Sequence, residues 1–419
     1  MEGLDRRAVL RTGLLAGGAG AAAVAATHLA LEANRAGVGS RAAAPTAVRP
    51  AVLPFRGSRQ SGVVDAPQPF AAFVGLDLPE GATRLTCRRL MRVWTDDIER
   101  LMAARGPLTD LEPELAAVPS RLSVTVAVGP GFYAAAGLDA VRPSWLAPLP
   151  AFAVDRLNRD WPQTDVLLQI RADSPVSVAH AARRLVVGAE PLAVQRWVQR
   201  GFREPLTDAR PGMPFRNLFG QVDGTVQPAT DGSDDRLVWL GADPATGGDG
   251  AEAAGTPAPK GLAGGTSLVI RRIAMNLDTW DQIDRAGREH AVGRRLGSGA
   301  PLTGRLEADL PDLAATDDLG FPVIDPVSHV RRAMPTEPHE RILRAPYSYD
   351  DPPAPGQRSN CGLVFVSFQA DPVRQFVPIQ QRLAEADLLN IWTTPLSSGV
   401  YAVLPGAQAG EDLGAALLD

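Results

Sequence analysis

The sequence predicts an α+β fold of two similar halves, antiparallel sheets covered by helices, and three observations carry the prediction. Strand-like and helix-like stretches alternate without the regular β-α-β rhythm that a parallel sheet requires. The stretch QIRADSPVSVAHAARRL, from Gln169, and the stretch SFQADPVRQFVPIQQRL, from Ser367, share one order of strand, Ala-Asp, Pro and helix, which reads as an internal duplication. With 419 residues and 45% hydrophobic content, the chain can bury a sizeable core in each half.

The first half is assigned to residues 46–213. Residues 70–78 (FAAFVGLDL) form a strand. Over 83–104, Leu85, Leu90, Val93, Trp94, Ile98 and Leu101 recur at helical spacing, the mark of an amphipathic helix. Residues 122–128 alternate as a strand and end at Gly129-Pro130-Gly131. A Pro-rich connection leads to a strand over 166–171. Ser174-Pro175 then starts a helix to about 187, because Pro suits the first helical position. A strand over 193–202 closes the half. The second half, 214–419, repeats the theme: a strand rich in β-branched residues over 266–275, a helix over 277–295, a strand over 363–368, a helix from Asp371-Pro372 through 383, and a last strand over 400–404. Residues 229–265, loaded with Gly, Ala, Pro and Asp, predict a long surface insertion.

Residues 1–45 stand apart as a targeting segment and a disordered spacer. Asp5-Arg6-Arg7-Ala8-Val9-Leu10 is a twin-arginine pattern, followed by an uncharged run over 12–31. That run is long enough to span a bilayer, but Ala and Gly make it weakly apolar, as in a twin-arginine export signal. The alternative is an N-terminal anchor. Export predicts a periplasmic, extracellular or cell-envelope protein with no stable membrane span after cleavage. A net charge of −5 argues against nucleic acid as a partner. Cys87 and Cys361 each sit in an apolar context, which points to two buried thiols rather than a disulfide.

Residues 214–228, PFRNLFGQVDGTVQP, set one acid, Asp223, among turn-forming glycines. An Asp-Gly pair by itself is most simply a turn. Here Gly220 to Gly224 resembles the G-x-x-D-G motif of the dye-decolorising peroxidases, a haem enzyme family. Further stretches resemble that family in order: LPAFAVDRLNRD from Leu149, Gly-Arg-Arg and Gly-Ala-Pro-Leu within 293–302, SHVRRA from Ser328, ILR ending at Arg344, and VSFQADP from Val366. The resemblance covers roughly 57–406.

It implies two ferredoxin-like halves and one haem b per chain, held mainly by the C-terminal half. It implies hydrogen peroxide and a bulky organic reductant, dye-like or phenolic, as substrates. His329 would be the iron ligand. Gly224, Thr225, Val226, Met334, Pro335, Thr336, Arg344 and Phe365 would contact the haem. Asp223 would move protons, since one positioned carboxylate can take a proton from peroxide and return it to the leaving oxygen. Arg344 would stabilise charge on that oxygen with its permanent cation. An iron-ligating imidazole gains basicity when its second nitrogen donates to a carboxylate or amide, and Asp387 and Asn390 are the candidates. Trp392, Tyr347, Tyr349 and Tyr401 could relay oxidising equivalents to reductants too large to enter.

The chain also departs from the family pattern. Where the family often has Asn-Pro-Arg after its histidine, this chain has Met334-Pro335-Thr336. The arginine that would meet a haem propionate is absent there, and Arg271, Arg272, Arg331 and Arg332 are the candidates to replace it. His339 is the alternative ligand, though Pro338 and Glu340 beside it match nothing in the motif. His180 and His290 fall in helices crowded with arginines, where solvated or capping roles are expected. Part of the family accompanies iron-uptake systems, so a haem- or iron-handling protein, releasing iron from haem or only carrying it, is the rival reading. A carrier needs His329 but has no use for Asp223 with Arg344. The sequence leaves self-association open.

Overall fold

The computed structural model describes residues 51–204, 215–242 and 258–419. The expected export signal and spacer, residues 1–45, lie outside the described residues, as does the middle of the 229–265 insertion.

The first half runs β1 (Phe70–Asp77), α1 (Arg84–Met102), β2 (Ser123–Val128), β3 (Val166–Ala172), α2 (Pro175–Ala189) and β4 (Val194–Phe202). Its strands lie in the order β4-β1-β3-β2, all antiparallel. That is the β-α-β-β-α-β ferredoxin-like unit. After a two-residue ribbon of β5 (Phe215–Arg216) and β6 (Val222–Asp223), the second half repeats it with β7 (Thr266–Met275), α3 (Arg285–Val292), α4 (His329–Ala333), β8 (Leu343–Arg344), β9 (Tyr347–Asp350), β10 (Cys361–Gln369), α5 (Pro372–Ala386), β11 (Thr393–Pro395) and β12 (Gly399–Val403). Its main strands lie in the order β9-β10-β7-β12. The repeated sequence stretches are β3–α2 and β10–α5. In each, a side chain caps the helix ahead of its first-turn Pro: Ser174 accepts from the Ser177 amide, and Asp371 from those of Val373 and Arg374.

The halves share one closed sheet. β12 pairs with β2, and β4 meets β9 at Phe202↔Ser348, so the fourth strand of each half completes the second strand of the other. Eight strands thereby form a barrel among the described residues, and edges that would otherwise template aggregation disappear. Alternate residues fill its lumen: Phe73, Leu167, Trp197, Leu268, Tyr347, Val366 and Tyr401 belong to one buried cluster. Their sequence neighbours, such as Val74, Leu168 and Val269, face outward into a second cluster shared with the helices. Both faces are covered, so β2 is buried at every residue instead of alternating as expected.

Two further expectations need correction. The helix expected over 277–295 is a single turn, Leu277–Trp280, followed by α3. Asn276 caps the first and Asp284 the second, and Gly293 in the left-handed conformation ends it. The insertion expected at 229–265 is not surface throughout: Val238, Trp239, Leu240 and Leu262 are fully buried, and Arg59 stacks on the Trp239 ring at 4.5 Å. The flanks are core because their apolar residues plug the barrel cluster and its surroundings.

Candidate active site

The two halves differ in how the layer between sheet and helices is filled. In the first half, Leu90, Met91, Trp94 and Ile98 of α1 pack on the sheet without exposure, and the Trp94 indole donates to the Leu185 carbonyl at 2.9 Å. In the second half the layer stands open as a cavity of about 170 Å³. Strand residues two apart, Ile273 with Met275 and Leu363 with Phe365, form one wall. Phe376, Ile379, Gln380 and Leu383, at helical spacing on α5, form another.

Four polar side chains that matter chemically line this apolar space: Asp223, His329, Arg344 and Asp387. His329 is the first residue of α4 and is half-buried. Its Nδ1 lies 2.6 Å from Asp387 Oδ2. Asp387 is held by its own backbone, because its Oδ1 accepts from the Leu389 amide as cap of the following turn, and the Leu388 amide donates to the Val327 carbonyl beside His329. Burial works against a charged His329 ring. The Asp387 carboxylate outweighs that by charge and hydrogen bond, with Asp223 adding and Arg344 opposing, so the imidazole is held above its usual range. Asn390 also lines the cavity, but its amide nitrogen donates to the Leu383 carbonyl, so Asp387 is the partner of the imidazole.

Asp223 ends β6 and Arg344 ends β8, far apart in sequence. The Arg344 Nη1 donates to Asp223 Oδ1 at 2.7 Å. Gly224 takes φ 96°, a left-handed turn that strains any residue with a Cβ. Asn217 shapes the approach, its Oδ1 accepting from the Phe219 and Gln221 amides. Phe365 lines the cavity as expected. Gly224, Thr225 and Val226 flank Asp223 without lining it: the Thr225 hydroxyl donates to Glu307 at 2.8 Å, and the Val226 carbonyl accepts from Arg344 Nη2. Met334, Pro335 and Thr336 also lie outside the cavity lining. Arg382 donates to the Met334 carbonyl, and the Thr336 amide donates to Glu340. His339 is not among the lining residues.

The arginine candidates separate clearly. Arg272 points into the barrel lumen, its guanidinium between the rings of Trp161 and Tyr349 at 4.1 and 3.9 Å. Arg331 donates to loop carbonyls and Arg332 to the Arg382 carbonyl. Arg271 pairs with Asp155, next to cavity-lining Val154, and its Nε and Nη1 are buried without a partner. Of these four, Arg271 is the one with buried donors that lack a hydrogen-bond partner. His180 is a buried partner of Asp110 at 2.8 Å rather than a solvated residue, whereas His290 is an exposed partner of Asp325. Cys87 and Cys361 are separate buried thiols. Tyr347, Tyr349 and Tyr401 are sealed in the lumen, but half-buried Trp392 stacks edge-on against Trp280 at 5.1 Å, and Trp280 lies 4.5 Å from cavity-lining Phe219. Apart from Phe365, the apolar lining carries no motif in the sequence. The only signals for it were the two-residue and helical spacings, which ordinary core residues share.

The family profile "Dyp-type peroxidase, C-terminal" matches residues 215–408, and "Dyp-type peroxidase, N-terminal" matches residues 60–203. A dye-decolorizing peroxidase of Thermobifida fusca is 36% identical over 372 residues, covering 86% of this chain and 84% of its own. A deferrochelatase of Shigella sonnei is 29% identical over 385 residues, covering 87% of each. The crystal structure of a DyP-type peroxidase from Cellulomonas bogoriensis superposes with a TM-score of 0.81 at 49% identity, covering 90% of this chain and 100% of that one.

Proposed function

Since the chain belongs to the Dyp-type peroxidase family, we propose that it reduces hydrogen peroxide while oxidising bulky organic reductants, dye-like or phenolic, with one haem b per chain. The enzyme class follows from the family: it is a haem peroxidase, an oxidoreductase with hydrogen peroxide and a reductant as substrates.

The residues of the cavity fit that cofactor. Apolar walls suit a porphyrin, and an imidazole backed by a carboxylate suits its iron. Because Asp387 engages Nδ1, His329 would hold the iron through Nε2. Arg271, with two buried donors free, is the group available for an acidic substituent. Haem, when bound, supplies the metal at which the peroxide bond is cleaved and a store of oxidising equivalents. The chain's own contribution is proton handling. Asp223 has one oxygen bound by Arg344, leaving Oδ2 to take a proton from peroxide and return it to the departing oxygen. Arg344 stabilises the charge on that oxygen. Phe219, Trp280 and Trp392 form an aromatic path from the cavity to the surface, which supports oxidation of reductants too large to enter.

The observation that carries this reading is the Asp223–Arg344 pair in the same cavity as His329. A second reading, iron release from haem within an iron-uptake system, is supported by the similarity to a deferrochelatase. Two parallel reactions separate them. The haem-loaded protein with peroxide and a bulky dye should bleach the dye over many turnovers while the haem absorption persists. The same protein with an anaerobic reductant should release no iron-free porphyrin. Fluorescent porphyrin without dye turnover would select the second reading.

We also propose that the chain is exported to the periplasm or cell envelope, on the strength of Arg6-Arg7 ahead of an uncharged run. Replacing both arginines with Lys should leave precursor in the cytoplasm. Normal export of that variant would refute the assignment.

A further inference from the structure

Arg344 occupies an edge. β8 is two residues long and pairs with β10 on one side only, with Arg344 opposite Ser367. A strand residue offers its N–H and its C=O to the same side, and both of these groups of Arg344 meet a single side chain. The Arg344 amide donates to Gln227 Oε1 at 2.9 Å, and Gln227 Nε2 donates to the Arg344 carbonyl at 2.9 Å. An amide side chain carries one acceptor and a donor at a fixed spacing, so it can stand in for a neighbouring strand.

Gln227 is also four residues beyond Asp223 on the same loop. That loop grips Arg344 at both ends. Gln227 holds the backbone, while Asp223 Oδ1 and the Val226 carbonyl receive the guanidinium at 2.7 and 3.2 Å. The loop's far side is pinned in turn: Arg341 donates to the Gln227 carbonyl at 3.4 Å and pairs with Asp234 at 2.9 Å.

We propose that Gln227 is a positioning residue whose amide replaces the missing strand beside Arg344 and thereby sets the Asp223–Arg344 contact used in the reaction with peroxide. The inference rests on the proposed peroxidase function. Without the amide, the Arg344 backbone loses both bonds to the loop, and only its guanidinium still ties Arg344 to that loop. Displacement of a catalytic pair by about 1 Å costs on the order of 100-fold in rate.

The test uses haem-loaded Gln227→Leu, which keeps the bulk but makes neither bond, and Gln227→Asn, which keeps an amide one methylene too short to make both. Gln227→Leu should react with peroxide roughly 10- to 100-fold more slowly, with Gln227→Asn between it and wild type. Oxidation of the reductant after the peroxide step should be unchanged in both. Fluoride, an anionic probe of the same donors followed by absorption at equilibrium, should bind about tenfold more weakly to Gln227→Leu, an effect of about 1.4 kcal/mol. The Arg344→Leu/Gln227→Leu double variant should be no slower than Arg344→Leu alone, because a residue acting through the guanidinium has nothing further to lose once the guanidinium is gone. Wild-type peroxide rate together with wild-type fluoride affinity in Gln227→Leu would overturn the inference, and so would losses that simply add in the double variant. If Asp223→Asn and Arg344→Leu both react at the wild-type rate, the peroxidase reading fails instead. The fluoride affinity then decides alone whether Gln227 positions Arg344.

Discussion

Asp223→Asn is expected to slow the reaction of the haem-loaded protein with hydrogen peroxide by roughly 100- to 10,000-fold, the range for loss of a positioned acid–base group. The substitution preserves size and still offers an oxygen to Arg344, so the 2.7 Å contact can survive in altered form while the proton acceptor is gone. Arg344→Leu should cost a comparable 100- to 1,000-fold, as for removal of one preorganised donor. It also strips the Val226 carbonyl of its guanidinium partner, whereas the Gln227 amide, bound to backbone, stays in place. Haem content should remain near wild type in both variants, since neither residue is the proposed ligand. Stopped-flow mixing with peroxide measures the effect. Wild-type rates in both variants would remove the case for the pair and leave haem handling as the better reading.

His329→Ala should lose haem altogether or retain it only weakly, seen as loss of haem absorption through a desalting column. The apoprotein should still fold, because α4 is a five-residue helix outside the barrel and its other ties, such as the Arg332 bond to the Arg382 carbonyl, do not involve the imidazole. His339→Ala should keep a normal spectrum, as that side chain does not line the cavity. Asp387→Asn should fall between them, weakening metal binding about 10- to 100-fold by removing the carboxylate behind Nδ1. Full haem retention in His329→Ala with loss in His339→Ala would place the ligand on the wrong histidine.

What could be read from the sequence was local. Helix starts at Ser174-Pro175 and Asp371-Pro372 were legible because a cap and a first-turn Pro act within three residues. The repeated order of strand and helix was legible for the same reason and gave two similar halves, while their ferredoxin-like form came from the family resemblance. Asp223, His329, Arg344 and Phe365 were named because motif residues keep their chemistry wherever the chain carries them, and all four line one cavity. Where motif and geometry part, as at Met334, Pro335 and Thr336, the backbone is turned toward Glu340 and Arg382.

Everything that depends on meeting a distant residue was decided by the tertiary structure. Closure of the barrel depends on β12 reaching β2 and β4 reaching β9, and strand propensity carries no information about which edge a strand will find. The choice of Asp387 over Asn390 depends on which of two cavity side chains meets an imidazole 58 residues away and which is bound to the nearby Leu383 carbonyl. Gln227 carries no signal of its own, because its partner lies 117 residues away and is a backbone, which every residue possesses. The cavity is the clearest case. Both halves supply apolar residues at the same spacings, and only three-dimensional packing shows that Trp94 and its neighbours fill the layer in one half while a cavity opens among residues of α5, β7 and β10 in the other. Spacing reports which face of an element is apolar; whether that face meets another side chain or an open space is settled by the volumes brought together across the whole fold.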